Sequence, residues 1–390
     1  MIRRAPLALA ATAFVLSVAT SSFAADPGVF PDRIVLGQSA AFEGPASALG
    51  QGMRLGLQAA FKEANDAGGV HGRKIELITY DDGYEPDKAI ANTKKLIEQD
   101  QVFALIGEVG TPTSKATQPI ATAAQVPFIG PFTGAGFLRN PELVNVVNVR
   151  ATYDQETEAW IEHLTTDLGI KKIAILYQDD SFGRVGLAGV QKAMKKRGMN
   201  LVAEATYPRN TTAVKSALLT IRKADPEAVV MVGAYKPVAE FIKLAHKIKM
   251  DPVFVTISFV GSKALAKELG SDGAGVVITQ VVPFPEDTSI PLVAAYHKAL
   301  KAIDPQAEPG FVSLEGYMVG RLFVEALSKA GAEPTRTTLL DAVYQTGRFD
   351  LGGVTLSYGP GDNQGMDQVF LSVIEADGTF KAVDRLGAGS

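Results

Sequence analysis

Short apolar runs alternate with longer amphipathic stretches from residue 33 onward. The runs at 33–38 (RIVLGQ), 74–80, 102–106 and 126–129 read as strands, each ended by glycine, hydroxyl-bearing or acidic residues. Between them the spacing predicts helices over 50–66, from Pro86 through Ile97, and around Ile120, Ala121, Ala123 and Ala124. A strand over 143–150 then leaves this half. The pattern restarts with a strand over 172–177 and a helix over 183–196. Strands over 201–207, 228–233, 253–257 and 275–282 follow, interleaved with helices over 212–223, 236–247 and 263–269. Such alternation predicts an α/β fold with mostly parallel sheets, built as two Rossmann-like lobes.

A break at 283–287 (PFPED) precedes helices over 289–303, 311–330 and 337–344, then β-like stretches at 354–356 and 367–375 around a glycine-rich turn. The apolar faces of these helices need a partner, and the first half lacks helices on its far side. The chain is therefore expected to cross between lobes near Arg150, Pro283 and Tyr358. That assigns 25–149 with 284–357 to lobe 1 and 150–283 with 358–390 to lobe 2, joined by a three-strand hinge beside a cleft.

Residues 101–139 form the unit around which the rest is organised. The 102–106 run ends in Gly107-Glu108-Val109-Gly110 and then Thr111-Pro112-Thr113-Ser114, while the 126–129 run ends in Gly130-Pro131-Phe132-Thr133-Gly134. A strand–helix–strand crossover is almost always right-handed, so both loops emerge at one carboxyl edge, where open α/β sheets bind ligands. The first loop opens a helix whose N–H groups and dipole suit an anion. A carboxylate seat fits this pattern; so do plain N-caps at Thr111 and Ser114 with turn glycines.

Residues 1–24 carry Arg3 and Arg4, an apolar core and small residues at Ser22 and Ala24, the pattern of a secretory signal cleaved after Ala24. Removing it takes the net charge from −4 to −6, a poor match for nucleic acid. No cysteine is present, which excludes disulfides and thiolate chemistry, and the four histidines are too far apart in sequence to suggest a metal site. Gly50-Gln51-Gly52 misses dinucleotide spacing, 107–112 misses that of a P-loop, and no GxSxG occurs. Neither a cofactor nor an enzyme activity is expected. The acid pairs Asp81-Asp82 and Asp179-Asp180 are expected to fix turns, and Trp160 to pack.

In order along the chain stand Gly44-Pro45…Gly50, Tyr80-Asp81-Asp82…Pro86, Ile106-Gly107…Thr111, QPIA at 118–121, PFIGPFTG at 127–134 and Val232-Gly233-Ala234-Tyr235. Together these resemble the periplasmic substrate-binding proteins of ABC transporters, within the leucine/isoleucine/valine-binding group of the type I fold. The resemblance implies a carboxylate grip at Thr111 and a second contact at Phe132, Thr133 and Gly134. It also implies a cleft aromatic at Phe182, a second-lobe tyrosine at Tyr235, and an aspartate at Asp154. The acid that holds a ligand ammonium falls around Phe259, within 258–260, where no acid stands; the first-loop tyrosine falls near Leu49. Either Asp154 or Glu108 takes the ammonium, or the ligand has none; the presence of Asp154 favours an amino acid. The expected protein is thus a monomeric periplasmic receptor that closes on an amino acid or small carboxylate and delivers it to an ABC permease in the inner membrane. The same fold serving an aromatic or aliphatic carboxylic acid, or a sensor feeding a receptor, stays open.

Overall fold

The computed structural model describes residue 2 and residues 26–387; apart from residue 2, the expected leader lies outside them. Strands β1 (Arg33–Ala40), β2 (Lys74–Asp81), β3 (Ala104–Ile106), β4 (Phe128–Ile129) and β5 (Val146–Val147) form one sheet in the order β2-β1-β3-β4-β5. All its pairings are parallel. Helices α1 (Ser47–Asp66), α2 (Pro86–Glu98) and α3 (Thr111–Ala123) are its crossovers. The second sheet uses β6 (Ile173–Gln178), β7 (Ala203–Tyr207), β8 (Ala228–Val232), β9 (Val253–Thr256) and β10 (Val277–Gln280), with α4 (Tyr153–Thr166) preceding it. Helices α5 (Ser181–Lys196), α6 (Lys215–Lys223), α7 (Tyr235–Lys247) and α8 (Ser262–Leu269) connect these strands.

Next come α9 (Pro291–Ile303), α10 (Phe311–Lys329) and α11 (Arg336–Thr346), then the β11 (Arg348–Asp350)–β12 (Thr355–Ser357) hairpin. Strands β13 (Phe370–Ile374) and β14 (Phe380–Val383) finish the second sheet as antiparallel edges, in the order β14-β13-β10-β9-β8-β6-β7. Helices α9 and α10 pack on α1. α1 lies against α10 at backbone distance: a Cβ on Gly56 would stand 2.0 Å from the Ser313 carbonyl oxygen, and one on Gly316 2.3 Å from that of Met53. No larger residue fits at either position.

The strand expected over 143–150 is only two residues long. Beyond Val147 the backbone leaves the sheet to join another crossing: Asn148 N–H donates to Asn363 O (2.8 Å) and Gly365 N–H donates to Asn148 O (2.9 Å). The Tyr358 hydroxyl also donates to Asn148 O (3.0 Å). Two of the inter-lobe passages are therefore stitched to each other. Loops leaving the carboxyl ends of both sheets meet: Phe132, after β4, packs its ring 5.3 Å from that of Phe259, after β9.

Candidate functional site

Gly110, at φ +108°, turns the end of β3 into α3 and serves as its N-cap without any side chain. A Cβ there would stand 2.2 Å from the Tyr84 ring, so both backbone and space demand glycine. Thr111 is consequently the first helical residue, and its hydroxyl is free to face Thr133. Their Oγ1 atoms lie 2.7 Å apart, fully buried. Thr133 Oγ1 also accepts from Ala135 N–H (3.2 Å), while Thr113 Oγ1 turns back onto Val109 O (2.5 Å). The two loops at the sheet edge thus meet hydroxyl to hydroxyl, and Ser114 Oγ beside them is buried with no partner among the described residues.

Around this pair sits an aromatic box drawn from both lobes. Phe132 and Tyr84 come from lobe 1, Phe182, Tyr153 and Phe259 from lobe 2, and all five are buried. Phe259 is the hub, with ring centroids 4.6 Å from Phe182, 5.3 Å from Phe132 and 5.9 Å from Tyr84. Tyr153 stands 5.5 Å from Phe182, and its N–H donates to Gly134 O (2.8 Å). Tyr235 lies at the rim, where its hydroxyl accepts from Ala48 N–H of the opposite lobe (3.4 Å). Asp154 is placed elsewhere: its carboxylate is 45% exposed and pairs with Lys192 of α5 at 2.7 Å, on the side of α4 that packs against α5. The expectation that it meets a ligand ammonium has no support in this placement. It follows Tyr153 directly, and successive helical residues point to different faces.

The charge inside the site comes from residues that no sequence motif singles out. Arg150, fully buried at the first crossing, has its Nη2 donating to Ser258 Oγ and lying 3.5 Å from Glu156, and its Nε 3.7 Å from Glu315. Its guanidinium lies 4.8 Å from the Phe132 ring centroid. Glu156 accepts from Ser258 N–H (2.9 Å), Ser258 Oγ (2.8 Å) and Thr279 Oγ1 (2.6 Å), so a carboxylate does reach the 258–260 turn, from α4. Burial pushes the Glu315 carboxyl up to about 7 against the pull of Arg150. Burial likewise raises the Tyr153 phenol, opposed chiefly by Arg150. Glu108 is buried, and neither of its carboxyl oxygens has a partner among the described residues. Desolvation raises it well above the usual carboxylate range, and its charged neighbour is Asp82.

A second set of contacts joins the lobes at the mouth. Arg209 Nη2 donates to Glu85 Oε2 (2.7 Å) and Asn210 Nδ2 to Glu85 Oε1 (2.7 Å) and Gly83 O (2.9 Å), while Lys263 pairs with Glu308 (2.6 Å) at the other rim. The acid pairs act as turn fixers: Asp82 accepts from Tyr84 N–H (2.8 Å) and Asp180 caps α5 through Phe182 N–H (2.9 Å). Trp160 is core, donating to Thr279 Oγ1 (3.1 Å). Among the described residues no group of three or more histidines or acids is arranged to hold a metal ion, and no helix is long and apolar enough to cross a membrane.

Two α/β lobes linked by several crossings, with a polar and aromatic seat between their facing sheet edges, define a bilobal ligand-binding protein. The chain belongs to the periplasmic binding protein family, whose model matches residues 33–379, and to its type I, leucine/isoleucine/valine-binding group. It is similar to the structure of a possible leucine/isoleucine/valine-binding protein from Rhodopirellula baltica SH 1, at 38% identity and TM-score 0.87 over 92% of this chain and 98% of that one. Leu/Ile/Val-binding protein homolog 7 of Brucella abortus is 25% identical over 327 residues, 80% of this chain and 82% of its own. A fatty acid ABC transporter substrate-binding protein from Thermomonospora curvata shares the fold, at TM-score 0.83 and 21% identity over 93% of this chain and 94% of its own. The family is one of periplasmic binding proteins rather than enzymes.

Proposed function

We propose that this protein is the solute-binding component of an ABC importer, exported to the periplasm by its leader, acting as a monomer and delivering an amino acid or related small carboxylate to a permease in the inner membrane. The observation that carries this reading is the Thr111–Thr133 hydroxyl pair, held at the head of α3 and enclosed between the lobes. The lobes move as the bodies 25–149 with 284–357 and 150–283 with 358–390. A ligand touching Thr111 and Thr133 on one side and Phe182 and Phe259 on the other binds the closed form best and shifts the population toward it. Phe132 and Gly134 shape the same wall, and Tyr235 closes the rim.

A thermal-shift screen of the mature protein across amino acids and small organic acids tests this. A ligand that binds only the folded form stabilises it by about 2.7 kcal/mol at a hundred times its Kd. A cognate solute is expected to raise the melting temperature in a dose-dependent way; a flat response across the whole screen refutes the reading.

A further inference from the structure

We propose that the cleft selects a monocarboxylate with a flat apolar body and no ammonium group, its carboxylate taken by Arg150 and Tyr153; this rests on the solute-binding reading above. Beside the aromatic box stand buried donors that the protein leaves without a hydrogen bond. Arg150 Nε and Nη1 and the Tyr153 hydroxyl are buried and have no hydrogen-bond partner among the described residues. The Thr111–Thr133 pair shares one bond between two hydroxyls, which leaves one hydroxyl proton over. Buried donors are nearly always satisfied, so unspent ones beside the rings of Phe132 and Tyr153 mark where an acceptor belongs. A carboxylate offers several acceptor sites and suits the guanidinium fork.

The carboxylates nearest Arg150 are already engaged. The Glu156 carboxylate takes three bonds from Ser258 and Thr279. Glu315 faces Arg150, and Asp154 pairs with Lys192 outside. Burial opposes the charged form of Glu108, whose oxygens have no partner among the described residues, so it is a poor counter-ion for an ammonium. An ammonium placed here would be buried beside the Arg150 guanidinium, which already pairs with both nearby carboxylates, Glu156 and Glu315, at a cost of several-fold to many-fold in affinity. The rest of the ligand meets the rings of Phe132, Phe182, Phe259 and Tyr84, a surface for a planar apolar body. The two glutamates stand 3.5 and 3.7 Å from Arg150 and make no hydrogen bond to Nε or Nη1, so an entering carboxylate displaces none there.

The test is calorimetric titration of protein freed of carried-over ligand by unfolding and refolding. Two matched pairs serve as probes: 3-phenylpropanoate against phenylalanine, and 4-methylpentanoate against leucine. Each acid is expected to bind at least about tenfold more tightly than its amino acid, with 3-phenylpropanoate the tighter acid. Tyr153→Phe removes a hydroxyl with no hydrogen-bond partner among the described residues, so its melting temperature should hold while acid binding weakens about tenfold. Arg150→Lys keeps the charge but loses the fork and should weaken it at least as much. Amino acids binding as well as or better than the acids, or Tyr153→Phe leaving acid affinity unchanged, overturns this inference and leaves the solute-binding reading standing. Silence from all four probes overturns the inference as well, and the solute-binding reading falls only if the wider screen is also silent.

Discussion

Arg209→Ala should loosen the closed form without touching the ligand. Arg209 sits on the second lobe and reaches Glu85 of the first at 2.7 Å, while its other arm holds Asp180 of its own lobe at 3.1 Å. The side chains of Arg209 and Glu85 are 23% and 42% exposed, so solvent screens the pair and its worth is about 0.5–1 kcal/mol. Losing it shifts the open-to-closed ratio by roughly two- to fivefold, and apparent affinity weakens by no more than that factor. The chain has no cysteine, so nitroxides placed through Lys94→Cys and Lys215→Cys, on exposed faces of α2 and α6, report only those positions. Pulsed electron spin resonance should then show the longer-distance population rising at the expense of the shorter. Arg184→Ala, which breaks the Asp179 pair within one lobe, is the control and should change nothing. An Arg209→Ala distance distribution matching that of the parent refutes the latch.

Thr111→Ala is expected to weaken cognate binding roughly ten- to a hundredfold in calorimetry, with the fold intact, because one donor to a charged acceptor is lost. Gly110→Ala forces a Cβ to 2.2 Å from the Tyr84 ring at φ +108° and should cost about 1–3 kcal/mol in chemical denaturation. Burial raises Asp82 from 3.8 to about 6 and Glu315 from 4.5 to about 7. In both cases the folded protein holds its proton more tightly than the unfolded chain does. The corresponding stability is fully present below pH 4 and lost as pH rises through 6 and 7. Denaturation midpoints should therefore fall as pH rises from about 4 to 7 and level off above that. Asp82→Asn should flatten that slope by up to about 3 kcal/mol, and a slope of opposite sign contradicts the burial argument.

The alternation of apolar runs and helical spacing sufficed to place nearly every strand and helix, because that periodicity is the physical cause of the layers. Edges fared worse. β14 and β11 are short and partly exposed, with little apolar signal to betray them, whereas β12 falls on the β-like stretch expected at 354–356; β5 stops early for a hydrogen bond to Asn363 that no local pattern encodes. Within the site, Thr111, Thr133 and Phe132 were legible because loop chemistry at a sheet edge is local. Tyr84, Tyr153, Arg150, Glu156 and Glu315 were not. A buried arginine held by one nearby and one distant glutamate looks in sequence like any exposed charge. Tyr84 enters only because Asp82 and a positive φ turn it inward. The aspartate carried over by resemblance, Asp154, shows the converse: adjacency to Tyr153 in sequence puts it on a different face of the helix.

Small-angle scattering of the mature protein, with and without the strongest solute from the thermal screen, tests most directly whether the Thr111–Thr133 cleft closes on its ligand. Saturation should lower the radius of gyration of the parent, and Thr111→Ala should need a correspondingly higher solute concentration to show the same contraction. An unchanged radius at saturation, or contraction of the variant at the parent's concentration, would contradict capture of the solute by that hydroxyl pair.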